Sequence, residues 1–139
     1  MGQANRAYVE KRYDDAIKLI MDVIRHEPNS HETYRLLALI YDEIGQKEKS
    51  FGYYSIAAHL TPKDANLWKT LAIMSKDVGQ SDQTLYYLSK AVRADSKDAA
   101  SVWQYVEALK AANNKRKVTL SYQVHAFIKI FIDYRLLML

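Results

Sequence analysis

Cysteine is absent from the 139 residues of this chain. Neither a disulfide framework nor thiolate chemistry is therefore available to it. Turn-forming residues are also scarce, since the chain holds only two prolines and four glycines. An all-β chain of this length needs many tight turns built on such residues, so their scarcity excludes that class. The composition favours an all-α fold in a single domain.

Strong charge of one sign is missing as well. The formal net charge is +4, and the basic cluster Lys115, Arg116 and Lys117 is too short to predict nucleic-acid binding. Because 49% of the residues are hydrophobic and 26% are charged, the chain is predicted to be globular rather than disordered.

Motifs that carry catalysis or bind cofactors are lacking too. The sequence has no Gly-rich phosphate loop, no nucleophile elbow and no zinc motif. His26 and His31 are close in sequence, but no further ligand follows at a spacing suited to a metal. The acidic pairs at 14–15 and 42–43 are interpreted as solvated helix faces. We therefore predict a non-enzymatic protein with no catalytic residue, no metal and no cofactor.

The chain does contain a repeat, in which residues 31–64 are followed by the similar residues 65–98. A period of about 34 residues, which these two stretches share, predicts stacked helix–turn–helix units. The matching positions are Tyr34 with Trp68, Leu37 with Leu71, Ala38 with Ala72, Gly45 with Gly79, and Ala57 with Ala91.

Each repeat is predicted to form two helices, at about residues 31–44 and 47–61 in the second repeat. Gly45 stands between them, where a chain leaving a helix needs a positive φ. Tyr54 is expected to pack inward, and Ala38 and Ala57 are expected to let the two backbones approach closely. The residues Asp64 and Asp98 precede the next helices and are predicted N-caps.

The repeat extends in both directions. Counting back gives an incomplete first repeat with a helix over residues 2–10, so we expect the chain to begin inside an array as a fragment of a longer protein. Counting forward gives a fourth unit that continues through Leu109. The predicted repeat array covers residues 1–114, and residues 115–139 are predicted to form a C-terminal apolar helix.

Three interpretations of residues 115–139 remain open. A membrane helix is disfavoured, because the apolar run of about 16 residues carries Lys129, Asp133 and Arg135, whereas a span needs about 20 mostly apolar residues. A final helix that covers the open end of the stack is favoured, since solenoids require such a cap. A surface for another chain is the third interpretation.

Over about residues 4–112 the pattern resembles the tetratricopeptide repeat family. Within it, residues 8–17, 39–45 and 57–72 are similar to the repeat array of one subunit of transcription factor IIIC. The resemblance implies an α-solenoid of antiparallel helix pairs, with about three to four repeats, acting as a protein-interaction scaffold. It also implies a nuclear location, a role in RNA polymerase III initiation, and contacts with factor IIIB components and other factor IIIC subunits. The alternatives are a generic tetratricopeptide adaptor or the recognition module of a larger enzyme such as a glycosyltransferase.

In a superhelix of this family the first helix of each pair lines the concave surface. The resemblance therefore implies that this concave surface is the binding groove. This lining mixes both charges with apolar residues and suits a peptide or helix that carries the same mixture. The competing interpretation is that these are ordinary exposed helix residues. For Trp103, a shift of the helix register by one residue would place its side chain in the core. The predicted partner-binding residues are Tyr8, Glu32, Arg35, Leu39, Asp42, Asn66, Lys69, Ile73, Lys76 and Trp103.

Co-chaperones with this fold hold a terminal carboxylate through a set of Lys, Asn and Arg side chains. Here Asn5 alone matches that set, and the other positions hold Met1, Leu36, Asn66 and Thr70. Without the cations, a carboxylate would lose its charge-assisted hydrogen bonds. Chaperone-tail binding is therefore disfavoured.

Overall fold

The computed structural model describes residues 1–112, which form α-helices and one short 3₁₀ turn without any strand. The helices are paired in chain order as α1 with α2, α3 with α4, and α5 with α6, and each pair packs on the next. The predicted C-terminal helix at 115–139 lies outside the described residues. The elements are α1 (Gly2–Val9), α2 (Tyr13–His26), α3 (His31–Glu43), α4 (Lys47–Leu60), α5 (Ala65–Asp77), the 3₁₀ turn (Ser81–Gln83), α6 (Thr84–Ala94) and α7 (Ala99–Ala111).

The turn inside the second and third pairs depends on glycine. Gly45 has a φ of 78° and Gly79 a φ of 74°. In the first of these turns, the Gly45 N–H donates to the Asp42 carbonyl at 2.9 Å, and the Gln46 N–H donates to the Tyr41 carbonyl at 2.8 Å. These bonds form a Schellman motif, which satisfies carbonyls that the end of α3 would otherwise leave unpaired. The predicted positive φ is confirmed.

The first pair has the same turn without a glycine. Lys11, which occupies the position of Gly45 one repeat earlier, has a φ of 58°. Its N–H donates to the Tyr8 carbonyl at 2.9 Å, and the Arg12 N–H donates to the Ala7 carbonyl at 2.9 Å. A left-handed conformation costs a residue with a Cβ about 1–2 kcal/mol, so this turn is less favourable than its two counterparts. Sequence reasoning missed Lys11, although the period of the repeat leads directly to it.

The starts of α5 and α7 confirm the predicted N-caps. The Asp64 carboxylate accepts from the Asn66 N–H at 3.0 Å and from the Leu67 N–H at 3.3 Å. The Asp98 carboxylate accepts from the Ala100 N–H at 3.2 Å. These bonds satisfy first-turn donors that have no partner inside the helix.

Helix boundaries differ slightly from the predicted ones. Ile44 and Thr61 are C-caps, so α3 and α4 each end one residue before the predicted boundary. A larger difference concerns α6, which begins at Thr84 after the 3₁₀ turn, whereas α4 begins at Lys47. The lysines and glutamate at 47–49 favour a helix more strongly than the serine, aspartate and glutamine at the matching positions, which explains the later start.

The small residues predicted to let helices approach are all in the core. Ala38, Ala57, Ala72 and Ala91 are each no more than 3% exposed. They belong to one cluster that extends from α3 to α7, while a second cluster joins α1 and α2 to α3. Helix α3 takes part in both clusters, through Leu37 in one and Ala38 in the other. The array therefore has a continuous core over residues 1–112.

In two of the repeats, an aromatic side chain forms a hydrogen bond with the turn that closes the preceding repeat. The Tyr34 hydroxyl donates to the Pro28 carbonyl at 2.9 Å, and the Trp68 indole N–H donates to the Pro62 carbonyl at 3.0 Å. The two bonds join equivalent positions of successive repeats. They fix the orientation of α3 and α5, the helices that carry most of the predicted groove residues.

Candidate partner-binding groove

The predicted groove residues lie on the first helices of the pairs, α1, α3, α5 and α7. On α3 they occur at spacings of three and four, and similar spacings recur on α5 one repeat later. Such spacing places them on one face of each helix. Opposite faces carry buried residues such as Leu37 and Leu71, each 0% exposed. We call the ten predicted residues the groove stripe: Glu32, Arg35, Asp42, Asn66, Ile73, Lys76 and Trp103 are exposed, and Tyr8, Leu39 and Lys69 are half-buried.

Three members of the groove stripe act electrostatically on one tyrosine hydroxyl near the start of the array. Burial raises the pKa of Tyr54, the negative charge of Asp42 raises it further, Arg35 opposes the shift, and Tyr8 adds to it. Within residues 1–112, Arg35 forms no ion pair. Its guanidinium therefore remains available to an acidic group. The sequence predicts Tyr54 as a core residue but does not predict its proximity to these charges.

Lys69 has a structural partner. Its ammonium nitrogen lies 3.0 Å from an oxygen of Asp98, the N-cap of α7. The hydrogen bond from the Ser101 hydroxyl and then the one from Lys69 lower the pKa of Asp98 from 3.8 to about 2. Arg35 and Asp64 occupy the matching positions one repeat earlier and form no ion pair with each other. Equivalent cations in two repeats thus have different surroundings, and the sequence alone did not distinguish them.

Three other members of the groove stripe line one cleft. Ile73, Lys76 and Trp103 border an opening of about 530 Å³ between α5, α6 and α7, which we call the α5–α7 cleft. Trp103 is 52% exposed while its neighbour Val102 is 8% exposed, so α7 has the predicted register and the one-residue shift does not occur. The Lys110 ammonium lies 5.6 Å from the centroid of the Trp103 ring.

The remaining members of the groove stripe lie outside this cleft. Glu32 and Asn66 are exposed in the first turns of α3 and α5. Leu39 is half-buried and packs against the core cluster that extends from α3 to α7. The structure therefore divides the groove stripe into a charged section around Tyr54 and an apolar section at the α5–α7 cleft.

Residues 1–112 hold no group of three or more potential metal ligands. His26 Nδ1 lies 2.8 Å from the Asp22 carbonyl oxygen of its own helix, which accounts for this side chain. In the same part of the chain no helix combines the length and the apolar character that crossing a bilayer requires.

Helix pairs with this period, small residues at the helix contacts and Schellman turns define a tetratricopeptide-type α-solenoid. Solved structures that share this fold include the following two. MamA 41-end from Desulfovibrio magneticus RS-1 matches with a TM-score of 0.57 and 23% identity, over 69% of this chain and 55% of that chain. A chain of the CopN–Scc3 complex matches with a TM-score of 0.62 and 16% identity, over 79% of this chain and 65% of that chain.

The sequence is also similar to General transcription factor 3C polypeptide 3 of Homo sapiens, with 40% identity over 68 residues. That length equals two of the repeats. The match covers 49% of this chain and 8% of the human protein. No protein-family model matches the chain. The tetratricopeptide resemblance predicted from the sequence is confirmed.

Proposed function

We propose that the chain is a non-enzymatic scaffold that binds a segment of a partner protein along the groove stripe. We further propose that it acts in the nucleus within transcription factor IIIC, where it assists RNA polymerase III initiation. The observation that carries the proposal is the exposed stripe on successive first helices, which combines charged and apolar side chains on a continuous core.

Folding does not account for three exposed members of the groove stripe, Arg35, Ile73 and Lys76. Ile73 is 64% exposed, and Arg35 and Lys76 form no ion pair within the described chain. These three side chains can contact a partner without disturbing the core. The stack presents them at fixed positions, so binding requires little ordering of the scaffold, and that lowers the entropic cost of association.

Similarity to the human factor 3C polypeptide supports the cellular setting. The aligned 68 residues have the length of two complete repeats, so the similarity extends over whole helix pairs rather than over one helix. Under this proposal the partners are factor IIIB components and other factor IIIC subunits.

Affinity capture from a nuclear extract tests this function. The parent chain is expected to retain polymerase III initiation components, identified by mass spectrometry. Arg35→Glu is expected to reduce their recovery about fivefold, which corresponds to the loss of about 1 kcal/mol from an exposed charge contact. Arg35 rather than Lys69 is changed, because Lys69 also holds Asp98.

Arg93→Glu is the matched control, since Arg93 is exposed on α6, a second helix of a pair, and the charge change is identical. Its recovery of partners should equal that of the parent, and circular dichroism should show the same helical content in all three chains. Capture of chaperones alone, or equal capture by Arg35→Glu and the parent, would contradict the proposal.

A further inference from the structure

The α5–α7 cleft has a buried apolar inner surface and an exposed apolar rim. Its inner surface includes Ala72 and Leu88, which are 3% and 4% exposed, together with Ala108. Its rim carries Ile73 and Trp103, which are 64% and 52% exposed although they come from different repeats. The small side chains of Ala72 and Ala108 inside the cleft leave room for a side chain inserted between the large apolar residues at the rim. Insertion of a leucine-sized group is favourable because it removes apolar surface of both partners from water.

The charges around the cleft do not balance. Glu107 lines it but pairs with Lys110 at 2.9 Å. Lys76 also lines it, is exposed, and forms no ion pair within residues 1–112. The lysines Lys69 and Lys47, by contrast, have aspartate partners. Within the described part of the chain, the cleft therefore offers the uncompensated positive charge of Lys76 beside an apolar opening.

We propose that the α5–α7 cleft binds an acidic–aliphatic segment of a partner protein. The segment inserts a leucine-like side chain between Ile73 and Trp103, and a neighbouring carboxylate pairs with the Lys76 ammonium. This inference rests on the proposed scaffold function and specifies the chemistry of the partner at one end of the groove stripe. Charge complementarity selects the acidic segment, because a basic one would place two positive charges together in a partly desolvated site.

Three short acetylated and amidated peptides test the proposal on the full chain. The first carries a leucine followed by glutamate, the second has lysine in place of the glutamate, and the third has serine in place of the leucine. Trp103 fluorescence reports binding, since the other tryptophan, Trp68, is 1% exposed. The first peptide should give a saturable change and bind about fivefold more tightly than the second, as expected for one exposed charge contact. The third should bind more weakly than the first, because it lacks the inserted side chain.

Variants of the chain make the test specific. Lys76→Glu should reverse the order of the first two peptides, and Ile73→Asp should abolish binding of the first while leaving the melting temperature unchanged. Lys18→Glu, on the exposed surface of α2, makes the same charge change away from the cleft and should leave both affinities as in the parent. Trp103→Phe should remove the fluorescence response, with labelled peptide anisotropy as the second readout.

Several results would overturn the proposal. Equal affinity for the acidic and basic peptides would show that Lys76 does not select the segment. No saturable response to any peptide would show that the cleft is closed to a partner, as it would be if residues 115–139 or a second copy of the chain filled it.

The capture experiment separates this proposal from the scaffold function. If the parent captures initiation components and Lys76→Glu captures them equally, the scaffold function stands and the cleft assignment fails. If the parent captures none of them but discriminates between the peptides, the cleft assignment stands and the nuclear role fails.

Discussion

Lys11 occupies the left-handed position that glycine occupies in the next two repeats. Its φ of 58° is close to the values of 78° and 74° at Gly45 and Gly79, and the same two hydrogen bonds close the turn. The repeat geometry is thus preserved even where the favoured residue is missing. Packing of α1 against α2 through Ala7 and Ala16, both 0% exposed, offsets the local cost.

Exchanging the left-handed residues of the first two turns, Lys11 and Gly45, should change the free energy of unfolding in opposite directions. Lys11→Gly is expected to raise the free energy of unfolding by about 0.5 kcal/mol, because relief of about 1–2 kcal/mol of backbone strain exceeds the entropy gained by the unfolded chain. Gly45→Lys should lower it by a similar amount for the converse reason. Urea denaturation followed by circular dichroism measures both changes.

Gly52→Ala is the control for these exchanges. Gly52 lies inside α4 without a positive φ, and an added Cβ would meet no atom within 4 Å. This substitution should stabilise the chain by about 0.5–1 kcal/mol through helix propensity. A destabilising Lys11→Gly would show that the turn is not strained.

Local chemistry decided which single residues could be predicted. The caps Asp64 and Asp98 and the glycine Gly45 were predictable, since each satisfies backbone groups a few residues away or supplies the conformation that does so. Lys11 was missed because lysine is not a turn residue, and only its position 34 residues before Gly45 indicates the left-handed conformation. The ion pair between Lys69 and Asp98 was also missed, since it depends on side-chain geometry across 29 residues.

Small residues at the contact points between helices determine how closely each helix packs against its neighbours. In α4, Ala57 is 0% exposed and belongs to the core cluster shared with α3, α5 and α6. Because the neighbouring helices fill the surrounding space, the position has no room for a larger side chain.

Ala57→Leu should therefore overpack α4 and lower the free energy of unfolding by about 1–3 kcal/mol. Thermal melting monitored by circular dichroism measures the effect. Ala100→Leu adds the same atoms to an exposed site in the first turn of α7, so it should change stability by no more than about 0.5 kcal/mol. An unshifted melting curve for Ala57→Leu would contradict the packing described for this helix.

Helix boundaries could be predicted from the sequence where clear marker residues of the repeat are present. The helices of the second repeat ended within one residue of the predicted boundaries, because Gly45 and Pro62 mark them. The start of α6 does not follow from the repeat, since the 3₁₀ turn before it reflects weak helix propensity rather than the repeat pattern. The sequence did place Ile73, Lys76 and Trp103 on the groove stripe, but their convergence on one cleft needed the packing of three helices.

Across the whole molecule, repeats are joined by side-chain links as well as by apolar packing. Asp98 receives hydrogen bonds from Lys69 of α5 and from Ser101 and Ala100 of α7. A single carboxylate thus caps one helix and holds it to the preceding repeat. Its charge is required for the ion pair, so this junction depends on pH.

Stability should fall in acid as Asp98 takes up a proton. Its pKa is lowered in the folded chain from 3.8 to about 2, so the contribution is present above pH 3.8 and is lost as the pH falls through about 2. Asp98→Asn keeps an oxygen for the N–H donors but removes the charge, and should lower stability at neutral pH by about 1 kcal/mol. Urea denaturation at several pH values measures this.

The prediction is checked by comparing the free energy of unfolding of the parent chain and of Asp98→Asn between neutral pH and about pH 2. The stability difference between the parent and Asp98→Asn should shrink as the pH falls below 3.8. Lys69→Met removes the cation that pairs with Asp98 but leaves Asp98 as the N-cap of α7. It should therefore lower the free energy of unfolding at neutral pH by less than Asp98→Asn does. A difference that stays constant over this range would exclude a role for the Asp98 charge.

Helix α3 contributes to both core clusters, and Tyr53 of α4 packs against both. The two clusters therefore meet at this helix pair. Because each repeat of a solenoid contacts its neighbours, we expect a displacement of α7 by a bound partner to reach α1 through α3 and α4.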